Sequence, residues 1–454
     1  MRVQVFKAWD RIRSSFWFLP GIMAGGAMAL AFMTVSLDTQ ATDWLTRNWG
    51  STFAGGAEGA SSLLGAISGS MITIAGVVFS MTLVALSLAS SQLGPGLIRN
   101  FMSDTPTQVV LGTFVATFLY CLLVLRTIRR AEEVVFVPHL SVTLGVLLAV
   151  VSVGVLIYFI HHVSVSIQAN EIVARVGTEL NKEIERLFPE EIGRGAPSIP
   201  AAGPGTAILE AFDREALPIR ANGDGYLQFI DGDALMALAI QEEVVIRLER
   251  RPGHYVVNAR PLVLVSPGGS VTDQLSERVN SLFALGNQRT SGQDIEFAVN
   301  QLTEIAVRAL SPGVNDPFTA ITCVDHLGSA LCRLAQRGMP SPYRYDAEDR
   351  LRIITPVFTF PDVADVAFNQ IRQYGRTSTA VTIRMLETIA EIAGFVHRPE
   401  DRAALLRHAE MIARGAREGL PEEKDRQEVE ERFQAANRLL SELPESGQQD
   451  SDSR

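Results

Sequence analysis

Five hydroxyl side chains recur at helical spacing inside an apolar stretch of this chain. Ser70, Thr73, Ser80, Ser87 and Ser91, with Val77 and Val84 between them, fall three or four residues apart in the run from Gly65 to Ser91. They therefore share one face of a helix. A line of uncharged hydroxyls interrupted by valines can do two things in a membrane. It can pack against other helices, or it can line a wet, weakly selective path whose apolar positions gate by dewetting. A second polar constellation lies far downstream. Arg289, Asp294, Arg308, Asn315 and Asp316 are concentrated in one segment, with Ser311-Pro312-Gly313 breaking one helix and Asp316-Pro317 opening the next. A buried salt-bridge network fixing a tight helical corner is one reading. A site for a small anion or regulatory ligand at the helix start is the other, and the negative Asp316 cap works against it.

Conventional catalytic and metal-binding patterns are missing. Lysine occurs only at 7, 182 and 424, so no phosphate-binding G-x-x-x-x-G-K-[ST] loop can form. There is no H-E-x-x-H and no G-x-S-x-G, and the G-x-G pieces lack a third glycine. His161 and His162 are adjacent, so on a helix they point about 100° apart and do not share one metal. Cys121, Cys323 and Cys332 give no disulfide framework and read as reduced packing residues. The expectation is a protein with no catalytic residues, no metal and no cofactor.

The elements that must position these residues differ sharply between the two ends of the chain. Apolar runs at about 16–36, 65–91, 107–125 and 134–160 are each long enough to cross a bilayer. None is expected to carry an internal charged residue, so the usual marker of proton-coupled transport is missing. Ala27-Met28-Ala29 could mimic a signal-peptide cleavage site, but the apolar run continues past it and more spans follow, so retention is expected. Gly21, Gly25 and Ala29 form a small-residue face suited to close helix packing. Residues 37–64 read as an outer loop. With both termini inside, Arg2, Lys7, Arg11, Arg13, Arg99, Arg175, Lys182 and Arg186 face inward and Arg47, Arg126, Arg129 and Arg130 outward, eight against four. The expected orientation places both termini in the cytoplasm.

Residues 1–164 hold 9 Lys and Arg against 7 Asp and Glu, leaving 31 against 43 for the remainder. That acidic remainder excludes a nucleic-acid footprint and gives no support for docking on anionic lipid. The fold class expected is a multi-pass α-helical membrane domain of four transmembrane helices plus a cytoplasmic α+β domain, mainly helical with a small β module. The boundaries are a membrane domain at 1–164, a connecting amphipathic helix at 165–188 that continues the fourth span, and a Pro/Gly linker at 189–206. A β-rich module at 207–270, a helical domain at 271–441 and a disordered tail at 442–454 follow. Helices are expected at about 273–285, 291–310, 317–337, 361–374, 377–395, 399–418 and 421–442, with a strand at 353–360.

Four segments carry a resemblance. They are Ser70–Asp104, Gln108–Arg126, FIHHVSVSIQAN at Phe159–Asn170, and QLTEIAVRALSPGVNDPFTA at Gln301–Ala320. Together they resemble a bacterial predicted-membrane-protein family catalogued as domain of unknown function 2254, over nearly the whole chain. The resemblance implies an inner-membrane location and the same architecture, and brings no activity, substrate or catalytic residue. The expected partners are the lipid bilayer, further copies of the chain and small ions, with no nucleic acid. Two functions are open. One is an oligomeric channel-like conduit lined by the second span and controlled by the cytoplasmic domain; the other is an anchored scaffold or sensor with a closed membrane domain.

Overall fold

A computed structural model describes residues 16–48, 56–93, 104–131, 134–166, 168–188 and 206–442. The Pro/Gly linker, the tail, the Gly94–Gly96 break and the Ser91 side chain fall outside the described residues, Thr206 and Glu442 at their edges excepted. The chain folds into two compact units, residues 8–171 and residues 172–454.

The first unit is four apolar helices: α1 (Phe18–Asn48), α2 (Ala57–Leu93), α3 (Thr105–Leu125) and α4 (His139–Ser166). All four are long and apolar enough to cross a membrane. The loop expected over 37–64 is much shorter. No Gly or Pro lies between Leu37 and Asn48, so nothing stops α1 there. Between α3 and α4 a short hairpin forms from β1 (Arg129–Ala131) and β2 (Val134–Phe136), paired antiparallel.

α3 is the central helix and packs against the other three. Asp104 caps it, accepting from the Thr107 N–H at 3.2 Å, and Pro106 occupies the first turn, where its missing N–H costs nothing. Lipid tails give no hydrophobic drive for helix association, so the helices must meet closely. Gly112 allows this between α3 and α1, because a Cβ there would lie 3.2 Å from the Pro20 Cα and 2.5 Å from the Met23 Sδ. Two apolar clusters fill the bundle. One contains Met71, Val78, Val110, Phe114 and Phe159; the other contains Ala31, Leu64, Tyr120, Cys121 and Val142. The small-residue face of α1 is not used within the bundle: Gly21, Gly25 and Ala29 are all exposed, and α1 packs instead through Ala27, Ala31, Thr34 and Asp38.

In the second unit, α5 (Ala169–Leu187) buries Ile172, Val173, Val176, Leu180 and Ile184 along one face. It is separate from α4, which ends at Ser166, and does not continue it as one helix as the periodicity predicts. After α6 (Thr206–Glu215) come β3 (Leu217–Arg220), β4 (Gly225–Ile230), α7 (Gly232–Gln241), β5 (Val245–Leu248), β6 (Tyr255–Val256) and β7 (Pro261–Ser266). Then follow α8 (Asp273–Ser281), β8 (Phe283–Gly286), α9 (Ile295–Ala309), α10 (Pro317–Ala335), β9 (Tyr343–Tyr345) and β10 (Leu351–Ile354). The series closes with α11 (Phe360–Gly375), α12 (Thr379–Ala393), α13 (Pro399–Gly419) and α14 (Glu423–Ser441).

The strands form a five-stranded sheet, β3-β7-β5-β10-β9, and a three-stranded sheet, β6-β4-β8. Among the described strands only β10 on β5 is parallel. The sheets draw on chain beyond residue 270, since β8 and β10 join them and Leu275, Val279, Phe283 and Ile353 share their core with Ile219, Leu227, Ile246 and Val263. The strand expected over 353–360 ends at Ile354; Pro356 has no N–H to give a ladder. Helices α9 to α14 pack on one another through Leu302, Leu331, Phe368, Leu386 and Leu405, all buried.

Two features make this unit sensitive to acid. On α13, His408 is fully buried; its Nε2 lies 2.8 Å from Asp365 and its Nδ1 has no hydrogen-bond partner among the described residues. Burial pushes its pKa down, helped by Arg407 and Arg372, against the pull of Asp365. His254 is lowered too, by burial first and then by Arg251. An unfolded histidine has a pKa of about 6.5. Between that value and the lower folded values the unfolded chain binds more protons, so stability present at pH 7 falls as pH falls. Asp346 acts lower down. Burial would raise it, but hydrogen bonds from Arg352 and Arg350 outweigh that and hold its pKa at about 2. Its contribution is intact above about pH 4 and lost below. Asp401, raised by burial, works in the opposite sense. The unfolding midpoint of the full chain should therefore drop from pH 7 to pH 5, and His408→Gln should flatten that slope; a pH series of thermal melts on both proteins checks it.

Candidate functional site

The hydroxyl line on α2 is directed out of the bundle. Ser70, Thr73, Val77, Ser80, Val84 and Ser87 are all exposed, while the packed line of the same helix is Ala60, Leu64, Ser68, Met71, Ala75, Val78 and Ala85. The contrast is sharp at neighbouring positions, with Val77 at 53% exposure and Val78 at 1%. Small residues flank the line: at Gly69 and Gly76 an added Cβ would meet open space. The hydroxyls are partly satisfied within the helix, Ser70 donating to the Ala66 carbonyl at 2.8 Å and Thr73 to that of Gly69 at 2.9 Å. Such back-bonding lets a hydroxyl sit in an apolar medium at low cost. The centre of the single bundle is occupied by Phe114, Tyr120 and Phe159, each fully buried.

Polar groups inside the bundle tie its ends together, and sequence spacing did not reveal them. Asp38, expected just beyond the first span, is buried within α1. Its carboxylate accepts from the N–H groups of Leu140 and Ser141, both at 2.9 Å, and from the Ser141 hydroxyl at 2.6 Å. One helix thus caps the start of another, supplying acceptors for N–H groups that α4 cannot satisfy itself. Tyr120 continues the network, donating to the Ser141 carbonyl at 3.0 Å and lying 3.1 Å from the Thr34 hydroxyl. Thr117 and Ser152 pair at mid-bundle, 3.1 Å apart. At the opposite end His162, on the last turns of α4, places Nε2 2.9 Å from the Asp104 carboxylate and stacks on Tyr158. The available signal was an acid near the end of an apolar helix; its partners lie more than a hundred residues away.

In the second unit the downstream polar residues divide into two groups. Arg289 grips Asp294 with two bonds, Nε at 2.7 Å and a terminal nitrogen at 2.8 Å, and Asp294 also caps α9 through the Phe297 N–H. Glu296 joins them, accepting from Arg251 at 2.7 Å. Burial opposes the charge on Arg289, but its bonds to Asp294 outweigh this and raise its pKa. Arg308, Asn315 and Asp316 are elsewhere, because α9 has 15 residues and so separates its ends by about 22 Å. At that far end Asp316 caps α10, accepting from the N–H groups of Phe318 and Thr319 at 3.1 Å each. Asn315 sits at φ 51°, a turn conformation that asparagine tolerates. The five residues do not form one constellation. Arg251, Gly253 and Glu296, absent from the sequence-based set, complete the Arg289 group instead. Among the described residues no cluster of His, Cys, Asp and Glu is arranged to hold a metal.

Four apolar spanning helices followed by a mainly helical α+β unit define a multi-pass membrane protein. The chain belongs to the family described as predicted membrane protein DUF2254, whose model matches residues 13–391. Its relatives include an uncharacterized protein of Mycobacterium bovis and one of Mycobacterium tuberculosis, each 32% identical over 428 residues, spanning 92% of this chain and 79% of the relative. No solved structure matches the chain.

Proposed function

We propose that this protein is an oligomeric, channel-like conduit of the bacterial inner membrane, with both termini in the cytoplasm. Copies would associate around a common axis through the outward face of α2. Ser70, Thr73, Ser80 and Ser87 would line the path for small ions, Val77 and Val84 would form its apolar constrictions, and the cytoplasmic unit would control it without catalysis or cofactor. The observation behind this reading is that α2 packs through Leu64, Met71 and Val78 and turns its hydroxyl line away from its own bundle. A second reading, an anchored scaffold or sensor with a closed membrane unit, draws on two other observations. Ser70 and Thr73 already bond within their helix, and Phe318 stands 78% exposed beside the α9–α10 turn, where a partner could cover it.

Recording from the purified protein in planar bilayers separates the two. With Cys332 replaced, Ser80→Cys and Ser87→Cys should react with a water-soluble thiol reagent, and modification should reduce single-channel current several-fold. Silent bilayers under voltage and tension, with both cysteines protected, would leave the scaffold.

A further inference from the structure

One end of the bundle holds a pocket that the hydroxyl line does not use. It lies where α1 and α3 begin and α2 and α4 finish, and its volume is about 210 Å³. Phe16, Trp17, Phe79 and Leu83 form much of its wall, and Asp104 and Thr107 supply its polar end. The three rings enclose one another, with centroids 6.3 Å apart for Phe16 and Trp17, 6.5 Å for Phe16 and Phe79, and 6.3 Å for Trp17 and Phe79.

Asp104 is the unusual member. Among the described residues its side-chain bonds fall on Oδ2: from the Thr107 N–H at 3.2 Å, from the Thr107 hydroxyl at 2.6 Å, and with His162 Nε2 at 2.9 Å. Oδ1 takes none of them. Among the described residues His162 is the one group within ion-pair distance that can carry positive charge, and it serves Oδ2. A carboxylate 13% exposed at the edge of a membrane bundle, with His162 on one oxygen, favours a cation at the other. Aromatic faces beside a carboxylate are the chemistry that recognises an ammonium group. The rest of the wall is Ala85, Leu86 and Val163 with the Thr82 and Ser166 hydroxyls, each already bonded within its own helix, and suits carbon attached to that ammonium. The site also lies at the start of α1, where its apolar stretch begins, with Trp17 63% exposed, a placement that suits an interfacial tryptophan.

We propose that this pocket binds the primary ammonium headgroup of an aminophospholipid from the surrounding bilayer. The ammonium donates to Asp104 Oδ1 and lies against the Phe16, Trp17 and Phe79 rings, and the volume admits the headgroup and adjoining carbons, not a whole lipid. A lipid with a net negative headgroup and no ammonium meets the Asp104 charge and is rejected. The proposal holds whether or not protomers associate, so it does not depend on conduction.

The test is lipid retention by the full chain, released from nanodiscs of equimolar phosphatidylethanolamine and phosphatidylglycerol and read by native mass spectrometry. Wild type should carry phosphatidylethanolamine at least ten-fold over phosphatidylglycerol. Leu83→Trp, which fills the pocket and leaves the Asp104 bonds in place, should bring the ratio near one. Phe79→Leu, a milder change should the tryptophan not fold, should lower it several-fold. Asp104→Asn should also abolish the preference. Equal retention of the two lipids by wild type, or an undiminished preference in both wall variants, overturns the proposal. Retention of added dodecylammonium ion without any phosphatidylethanolamine overturns the lipid assignment.

Discussion

Asp38→Ala should destabilise the membrane unit by about 2–4 kcal/mol, one of the two largest single-residue effects expected in this protein. The carboxylate accepts three bonds, at 2.9, 2.9 and 2.6 Å, from two consecutive residues at the start of α4. Ser141 is fully buried, so neither its N–H nor its hydroxyl finds water when the acceptor is removed. Tyr120 is bonded to the Ser141 carbonyl, so the loss should spread to the α3–α4 contact as well. Asparagine offers one accepting oxygen in place of two and should cost about half as much. Thermal melts in detergent, followed by tryptophan fluorescence, measure this well, because all four tryptophans (9, 17, 44 and 49) lie in the first 49 residues of the chain. A melting temperature unchanged in Asp38→Ala would remove the capping role.

Asp38 also shows where sequence reasoning stops. Four spans, the acidic remainder and most of the later helices follow from hydropathy and periodicity, since each is a property of neighbouring residues. The hydroxyl line on α2 was legible for the same reason. Which way it faced was not, because in lipid both faces of a helix can be apolar, and polarity no longer reports burial. Ala60, Leu64 and Met71 face inward as small or flexible packing residues, and Phe79 and Leu83 are as apolar on the outside. Pairings across the fold were equally hidden. Asp38 meets Leu140 and Ser141 across more than a hundred residues, and β10 returns to pair with β5 across a similar interval. The polar corner failed for a geometric reason. Arg289 and Asp316 are close in sequence, but the straight helix α9 between them holds them at opposite ends. Arg251 and Gly253, which do belong with Arg289 and Asp294, come from the loop before β6 and had no local pattern to mark them.

Gly253→Ala should be comparably damaging in the second unit, at about 3–5 kcal/mol. Gly253 has φ +93°, a region that side chains rarely adopt, and a Cβ added there would lie 2.2 Å from Asp294 Oδ2. Asp294 has nowhere to go: its side chain is 2% exposed, both oxygens are bonded to Arg289, and Oδ1 also caps α9. Moving it breaks a nearly buried ion pair and uncaps a helix together, while Arg289 keeps its charge in a half-buried place. The two components can be separated. In an Asp294→Ala background the methyl group no longer meets a carboxylate, so adding Gly253→Ala should cost only the backbone strain, about 1–2 kcal/mol. Strong non-additivity between the two substitutions is therefore expected. Tryptophan does not report on this unit, so pulse proteolysis of residues 206–442 in the full chain across a urea series is the suitable measurement. Additive effects would mean that Gly253 acts through its backbone alone and that the approach of Asp294 to it is incidental.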